Sequence, residues 1–228
     1  MLRRTFAPIH PDGWKFIALA AVAALILFLL WRPAGWALLI LTLWLFYFFR
    51  DPWRVTPLRP GLVVSPADGT IVALAPAPPP PELDMGSEPV PRIGIFLDLF
   101  DVHVTRAPVG GRLVARHYTK GRFVNASLDK ASLDNERLAL RIVPGEGPEI
   151  ACVLIAGLVA RRIVCPLYAG QLLAIGERIG LIRFGSRVDV YLPPPYRLLV
   201  ALGQRMVGGE TVLAERLAAP PGGDTISH

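Results

Sequence analysis

Two apolar runs near the N-terminus constrain this chain more than any other feature. Ile17 to Trp31 is an unbroken apolar run of 15 residues, and Ala34 to Phe49 is a second of 16, interrupted only by Thr42. Arg32-Pro33 lies between them, a pair ill suited to a helix interior and well suited to a turn. As helices the runs reach ~22–24 Å at ~1.5 Å per residue, against ~30 Å for the hydrocarbon core of a bilayer. A single long helix would bury Arg32 near its centre, at roughly 2.5–3.5 kcal/mol. The runs therefore predict a helical hairpin that turns at Arg32-Pro33 and anchors the chain in a membrane. A cleaved signal peptide fits less well, because no small-residue cleavage site follows the first run and a second apolar run does. Trp14, Trp31, Trp36, Tyr47 and Trp53 fall near the expected interfaces, where amphipathic aromatic rings belong.

The charge agrees with a membrane. The 228 residues carry 24 Lys plus Arg against 18 Asp plus Glu, a net +6. Residues 1–54 hold six basic residues (Arg3, Arg4, Lys15, Arg32, Arg50 and Arg54) and two acidic ones (Asp12 and Asp51), so two-thirds of the surplus surrounds the most apolar segment. That placement points to a lipid surface and away from nucleic acid. Basic residues outside both ends of the paired runs put both termini, and the domain that follows, on the cytoplasmic side of the cell (inner) membrane. Cys152 and Cys165 are too few for a disulfide framework and sit in apolar surroundings, as inert thiols do. No cysteine or histidine cluster implies a metal.

From Leu58 to Leu217 the chain changes character. Short aliphatic and β-branched runs such as G-L-V-V-S, R-I-G-I-F-L, E-I-A-C-V-L-I-A-G and R-V-D-V-Y-L-P are broken by Gly and Pro, with no long 3.6-residue period. This predicts a mainly β domain with one core. Pro66 to Ala73 and Pro108 to Ala115 share P-x-x-G-x-[IL]-V-A, and later Gly-spaced turns extend the cadence. Repeated hairpin units of this kind build compact barrels or sandwiches of the biotinyl/lipoyl-carrier type, an analogy of fold that carries no function. The expected organisation is an anchor over 1–54, a β domain over 55–217 and a disordered tail over 218–228. The Pro-rich stretch 75–91 reads as an extended, mobile surface excursion.

One pair of residues stands out chemically. Gly185-Ser186 lies between two strand-like runs, and a strained Gly-Ser peptide can process itself. Glycine leaves its carbonyl carbon open and tolerates unusual backbone angles. Serine supplies an oxygen nucleophile once a base takes its proton. A bare Gly-Ser is usually a turn, so its neighbours matter. They include S-P-A-D-G at 65–69, F-D-V-H-V-T-R-A-P at 100–108, K-G-R-F-V-N-A-S-L-D-K-A-S at 120–132, G-L-V-A-R-R-I-V-C at 157–165 and G-E-R-I-G-L-I-R-F-G-S-R-V-D-V-Y-L-P at 176–193. In this order, and with the F-F-R-D-P exit of the apolar hairpin, the chain resembles the phosphatidylserine decarboxylases in their short, membrane-anchored bacterial form.

The resemblance implies a proenzyme. Ser186 would attack the Gly185 carbonyl, and elimination would split the chain into a β chain, 1–185, and an α chain, 186–228, held together as a heterodimer, with room for a higher oligomer. Ser186 would become a pyruvoyl group, the cofactor that forms a Schiff base with the amine of a membrane phospholipid and takes up the electrons released with CO2, in place of pyridoxal phosphate. The product would be phosphatidylethanolamine. By the same resemblance His103 is a general acid/base and Asp68 orients a histidine or holds charge. Asn125, Ser127, Lys120, Arg122 and Arg106 are the residues expected near the headgroup. This chain has Arg106 where longer relatives have a second histidine, which leaves open whether His103 serves self-cleavage, decarboxylation or both. Asp129-Lys130-Ala131 supports a different reading, a membrane-tethered lipoyl or biotinyl carrier, or an adaptor module, modified at Lys130.

Overall fold

The structure, a computed structural model, describes residues 7–121, 135–157, 162–183 and 186–217. Two helices come first, α1 (Trp14–Leu30) and α2 (Arg32–Phe48), packed side by side as a hairpin. The break falls one residue earlier than the sequence suggests. Trp31 alone is extended (φ −156°, ψ 98°), and Arg32-Pro33 form the first turn of α2. The reason is that a proline costs nothing in a helix's first turn, where its missing N–H would have no partner. Close packing near the tip needs Gly35, because a Cβ there would come within 2.6 Å of the Phe28 ring.

Fourteen strands follow among the described residues: β1 (Leu62–Val64), β2 (Gly69–Ala77), β3 (Val90–Leu97), β4 (Val104–Arg106), β5 (Gly111–Thr119), β6 (Arg137–Pro144), β7 (Ile150–Ala156), β8 (Ile163–Val164), β9 (Leu172–Leu173), β10 (Arg178–Ile182), β11 (Ser186–Tyr191), β12 (Tyr196–Leu198), β13 (Arg205–Met206) and β14 (Val212–Arg216). They make one curled eight-stranded sheet, β13-β2-β3-β11-β7-β6-β5-β9, and two three-stranded sheets, β1-β14-β12 and β4-β10-β8. The fold is thus mainly β with an N-terminal helical hairpin, as the sequence indicates.

The sequence echo has a structural counterpart. Gly69 and Gly111 each open a nine-residue strand. In each, a Cβ would sit 2.2 Å from a carbonyl oxygen of the neighbouring strand, Phe96 or Val143. Both strands then shift register at the same point of the motif, between Ile71 and Ala73 and between Leu113 and Ala115. Such bulges tighten the local twist and let a sheet curl. The two units also hold each other: Arg106 N–H donates to Pro66 O, and Val64 N–H donates to Pro108 O.

The Pro-rich stretch, expected to be extended throughout, instead folds back onto the sheet at its centre. Pro79 and Pro80 are buried, Pro81–Leu83 form a 3-10 turn, and Leu83 sits beneath the surface against Ala139, Ala151, Val153, Ile155 and Tyr191. Eight strands expose two faces, and one core can cover only one of them. The prolines cover part of the other, at little entropic cost because their backbone is already restricted. The central strands β7 and β11 are consequently buried along their whole length.

The hairpin is bonded to the β domain at its open end. Ile17, Ala20, Leu45, Phe48 and Phe49 pack on Val102, Val104 and Leu181. Asp51 pairs with Arg106 at 3.3 Å and Arg178 at 2.6 Å, and Asp12 pairs with Arg183 at 3.3 Å. The rest of the hairpin projects apolar side chains outward, Leu29 at 83% exposure among them. The helical stretch Pro11–Leu30 is long and apolar enough to cross a membrane. Arg3 and Arg4, and the tail 218–228, lie outside the described residues.

Candidate active site

Ser186 is the first residue of β11, the strand held between β3 and β7, where it pairs with Leu97 and Ala156. Strand alternation sends Ser186, Val188 and Val190 toward the main core and Arg187, Asp189 and Tyr191 toward the second face. Ser186 is fully buried, and its Oγ has no hydrogen-bond partner among the described residues. Burying a hydroxyl this way costs roughly 1–3 kcal/mol. A buried, unbonded nucleophile is the exception that calls for a chemical explanation. Gly185 itself lies outside the described residues.

The register brings other candidate groups to the same end of the sheet. Asp68 precedes β2, Asp98 and Asp101 follow β3, and Asn135 precedes β6, where its Nδ2 donates to Ala156 O at 2.8 Å. His103 lies between β3 and β4. Its carbonyl accepts from Ile182 N–H, placing it beside the strand that leads into Ser186. The imidazole is fully buried, with Nδ1 3.0 Å from the Asp101 carbonyl and its ring 4.2 Å from that of Phe48. Burial pushes its pKa down to about 4, Arg50 acts in the same direction, and the Asp101 carbonyl and the Asp98 charge oppose them. A ring that donates Nδ1–H to Asp101 O keeps the lone pair on Nε2. The His103 ring is thus neutral at pH 7.

Asp68 does not orient His103 here. Its carboxylate accepts from Arg54 at 2.7 and 2.9 Å and from the Gly208 N–H at 2.7 Å. Asp101 lies almost wholly buried, paired with Arg205, and burial raises its pKa. Phe48, Arg54, Asp101 and Arg205 were not singled out by the sequence as parts of the site. Phe48, Arg54 and Arg205 each meet a partner from a distant stretch of chain, and Asp101, although inside F-D-V-H-V-T-R-A-P, meets Arg205 only across the fold.

The expected headgroup residues fare differently. Asn125, Ser127 and Arg122, and the alternative Lys130, lie outside the described residues. Lys120 is exposed beyond the end of β5. Arg106 is buried, bonded to the carbonyls of Gly176 and Pro52 besides Asp51. These bonds tie the hairpin exit to the β domain through Arg106. Cys152 is buried, with its thiol pKa raised by burial, while Cys165 is half-buried.

The family profile of phosphatidylserine decarboxylase matches residues 41–214. The chain belongs to this family. Phosphatidylserine decarboxylase proenzymes of Cereibacter sphaeroides and Ruegeria pomeroyi are 56% and 54% identical over 215 residues each, which is 94% of this chain and 93% and 98% of theirs. That of Paramagnetospirillum magneticum is 56% identical over 208 residues, 91% of this chain and 87% of its own length. The family match begins within α2 and takes in β1 to β13 and part of β14, so Asp68, His103 and Ser186 all fall inside it.

Proposed function

We propose that this protein decarboxylates phosphatidylserine to phosphatidylethanolamine and CO2, using a pyruvoyl group made from its own Ser186. The observation that carries the reading is the Ser186 Oγ: buried, without a hydrogen bond among the described residues, and fixed at the start of a central strand. Its attack on the Gly185 carbonyl forms a C–O bond and breaks the C–N bond, giving an ester and freeing the Ser186 amine. Loss of the Ser186 α-proton then expels the Gly185 carboxylate from Cβ, leaving dehydroalanine. Water replaces the nitrogen, ammonia departs, and the ketone remains.

Once formed, the pyruvoyl group supplies the electron sink for the pair released with CO2. The surrounding residues bind, orient and move protons. His103 Nε2 takes a proton during self-cleavage and delivers one to the substrate α-carbon. Asp68, clamped by Arg54 and Gly208, supplies a fixed negative charge and holds the turn before β2. Asn125, Ser127, Lys120 and Arg122 are the candidates for the headgroup. The apolar hairpin lies in the cytoplasmic leaflet of the cell membrane, setting the domain beside its lipid substrate.

Intact-mass analysis of purified protein tests the reading. Two chains split between Gly185 and Ser186, the smaller blocked by pyruvoyl, are expected, together with an uncut Ser186→Ala protein. A single unmodified chain that still decarboxylates phosphatidylserine overturns it. A mass gain at Lys130 on an intact backbone would mark a carrier instead.

A further inference from the structure

We infer that the Leu99-Phe100 turn between β3 and β4 is a second membrane-inserting element, which holds the Ser186 end of the sheet at the level of the phospholipid headgroups. The inference rests on the proposed membrane anchoring by the hairpin.

Phe100 is 63% exposed and Leu99 41% exposed, adjacent to each other at a turn tip. Scattered apolar residues on a surface need no explanation, but this pair is held in place. Asp98 Oδ1 accepts from Phe100 N–H at 2.7 Å, Asp101 Oδ2 accepts from Asp98 N–H at 2.9 Å, and Asp101 N–H donates to Asp98 O. The turn cannot fold its apolar tip inward without losing these bonds.

A single guanidinium fixes its depth. Arg50, just past α2, donates through Nη1 to Tyr47 O and through Nη2 to Phe100 O, both at 2.7 Å. The Phe100 carbonyl therefore lies level with the last turn of α2, where the hairpin leaves the apolar layer. Tyr47 is half exposed at that level, its ring against the Arg50 guanidinium at 3.7 Å. Tyrosine is enriched at membrane–water interfaces, where its amphipathic ring sits at the level of the headgroups. Beside the apolar tip, Arg205 pairs with Asp98 and Asp101, so the carboxylates that bracket the turn are neutralised where it would meet lipid. Two residues past Asp101 Cα-to-Cα spacing brings the chain to His103, so the depth of the turn also sets the depth of the site.

The test uses full-length protein in phosphatidylcholine/phosphatidylglycerol vesicles, in a Cys165→Ser background, Cys152 being buried. An environment-sensitive NBD label is placed at Phe100→Cys or Leu99→Cys, with Leu30→Cys at the hairpin tip and Tyr168→Cys, exposed near the opposite end of the sheet, as references. Blue-shifted emission at 99 and 100, quenched at least about twofold more strongly by shallow nitroxide lipids than the label at 168, is expected. Water-like emission at 99 and 100 with quenching at 30 overturns the inference and leaves the anchor standing. No quenching at 30 either overturns the anchor and the inference together. Blue-shifted emission that lipid nitroxides do not quench, and that fades as the protein is diluted, assigns the turn to a second copy and also overturns it. None of these readouts depends on decarboxylation.

Discussion

Phe48→Ala should change the protonation of a residue on another element. The Phe48 ring is fully buried and lies 4.2 Å from the imidazole of His103. Burial is the largest cause holding the His103 pKa at about 4 instead of 6.5. The difference corresponds to about 3.4 kcal/mol against the charged ring, at about 1.36 kcal/mol per pKa unit. Removing the ring admits water, while Arg50 still repels a positive charge, so the pKa should rise to near 6 without regaining 6.5. At pH 5.5 the protonated share would then climb from about 3% to about three-quarters. The folded pKa of the parent lies below the unfolded one, so its His103 contribution to stability is complete above pH 6.5 and is lost as pH falls toward 4. The variant should lose that dependence while paying about 3–5 kcal/mol for the vacated core, and Phe48→Leu, which keeps most of the burial, should keep the low pKa. NMR of histidine-labelled protein in detergent, titrated from pH 7.5 to 4.5, reads the ring directly. In activity, the acid limb of the pH profile should move from near pH 4 to near 6, with a smaller effect at pH 7.5. A Phe48→Ala ring still neutral at pH 5, or a parent ring already protonated at pH 6, would refute the reasoning.

Three further substitutions probe the frame around the site. Arg54→Ala should cost about 1–3 kcal/mol by leaving Asp68 a largely buried carboxylate with one backbone donor. Arg54→Lys should recover only part of this because an ammonium cannot reproduce the two-oxygen contact, and thermal unfolding with the rate of self-splitting would show both. Asp189→Asn should lower stability by about 3–5 kcal/mol, since it removes the carboxylate 2.5 Å from Arg187 that Arg92 also faces; an unfolding midpoint equal to that of the parent would contradict the pairing. Gly111→Ala should cost about 3 kcal/mol, because its Cβ would meet Val143 O at 2.2 Å, while Gly145→Ala, with open space around it, should be nearly neutral in the same denaturant titration.

What could be read from the sequence was local. Two runs of 15 and 16 apolar residues predict two helices, because run length and hydropathy act within a segment. The spacing of Gly69 and Gly111 marked the two long strands, because a glycine is needed where backbones approach this closely. Gly185-Ser186 stood out by its chemistry. The contacts that assemble the site were hidden for the opposite reason. Arg54 was visible only as one of the basic residues beside an anchor, and nothing in R-D-P-W-R says that its guanidinium reaches S-P-A-D-G. Phe48 looked like one more apolar residue, although it is His103 that it covers. The prolines of 78–81 carry the composition of an exposed linker, and only the second face of a curled sheet explains why Pro79 and Pro80 are buried. Arg106 looked free to meet a phosphate because its partner, Asp51, belongs to the hairpin exit.

The strand order also says how a chain cut beside Ser186 would stay assembled. Residues 186–217 supply β11 to β14, and both ladders of β11 begin at Ser186, on the C-terminal side of the proposed cut. β11 lies between β3 and β7, β13 edges the large sheet on β2, and β14 pairs with β1 as well as β12. Loss of the peptide bond before Ser186 leaves the pairings from Arg187 to Tyr191 on both sides of β11 in place. Ser186 opens β11 within that clamp, so the new end is held by Leu97 on one side and Ala156 on the other. On the second face, Arg187 and Asp189 bind each other beside Arg92, and their neutralisation allows two charged residues to occupy a strand with no exposed position. The freed end can therefore change chemically without the strand shifting, which a prosthetic group at residue 186 requires if it is to meet His103 in a fixed geometry.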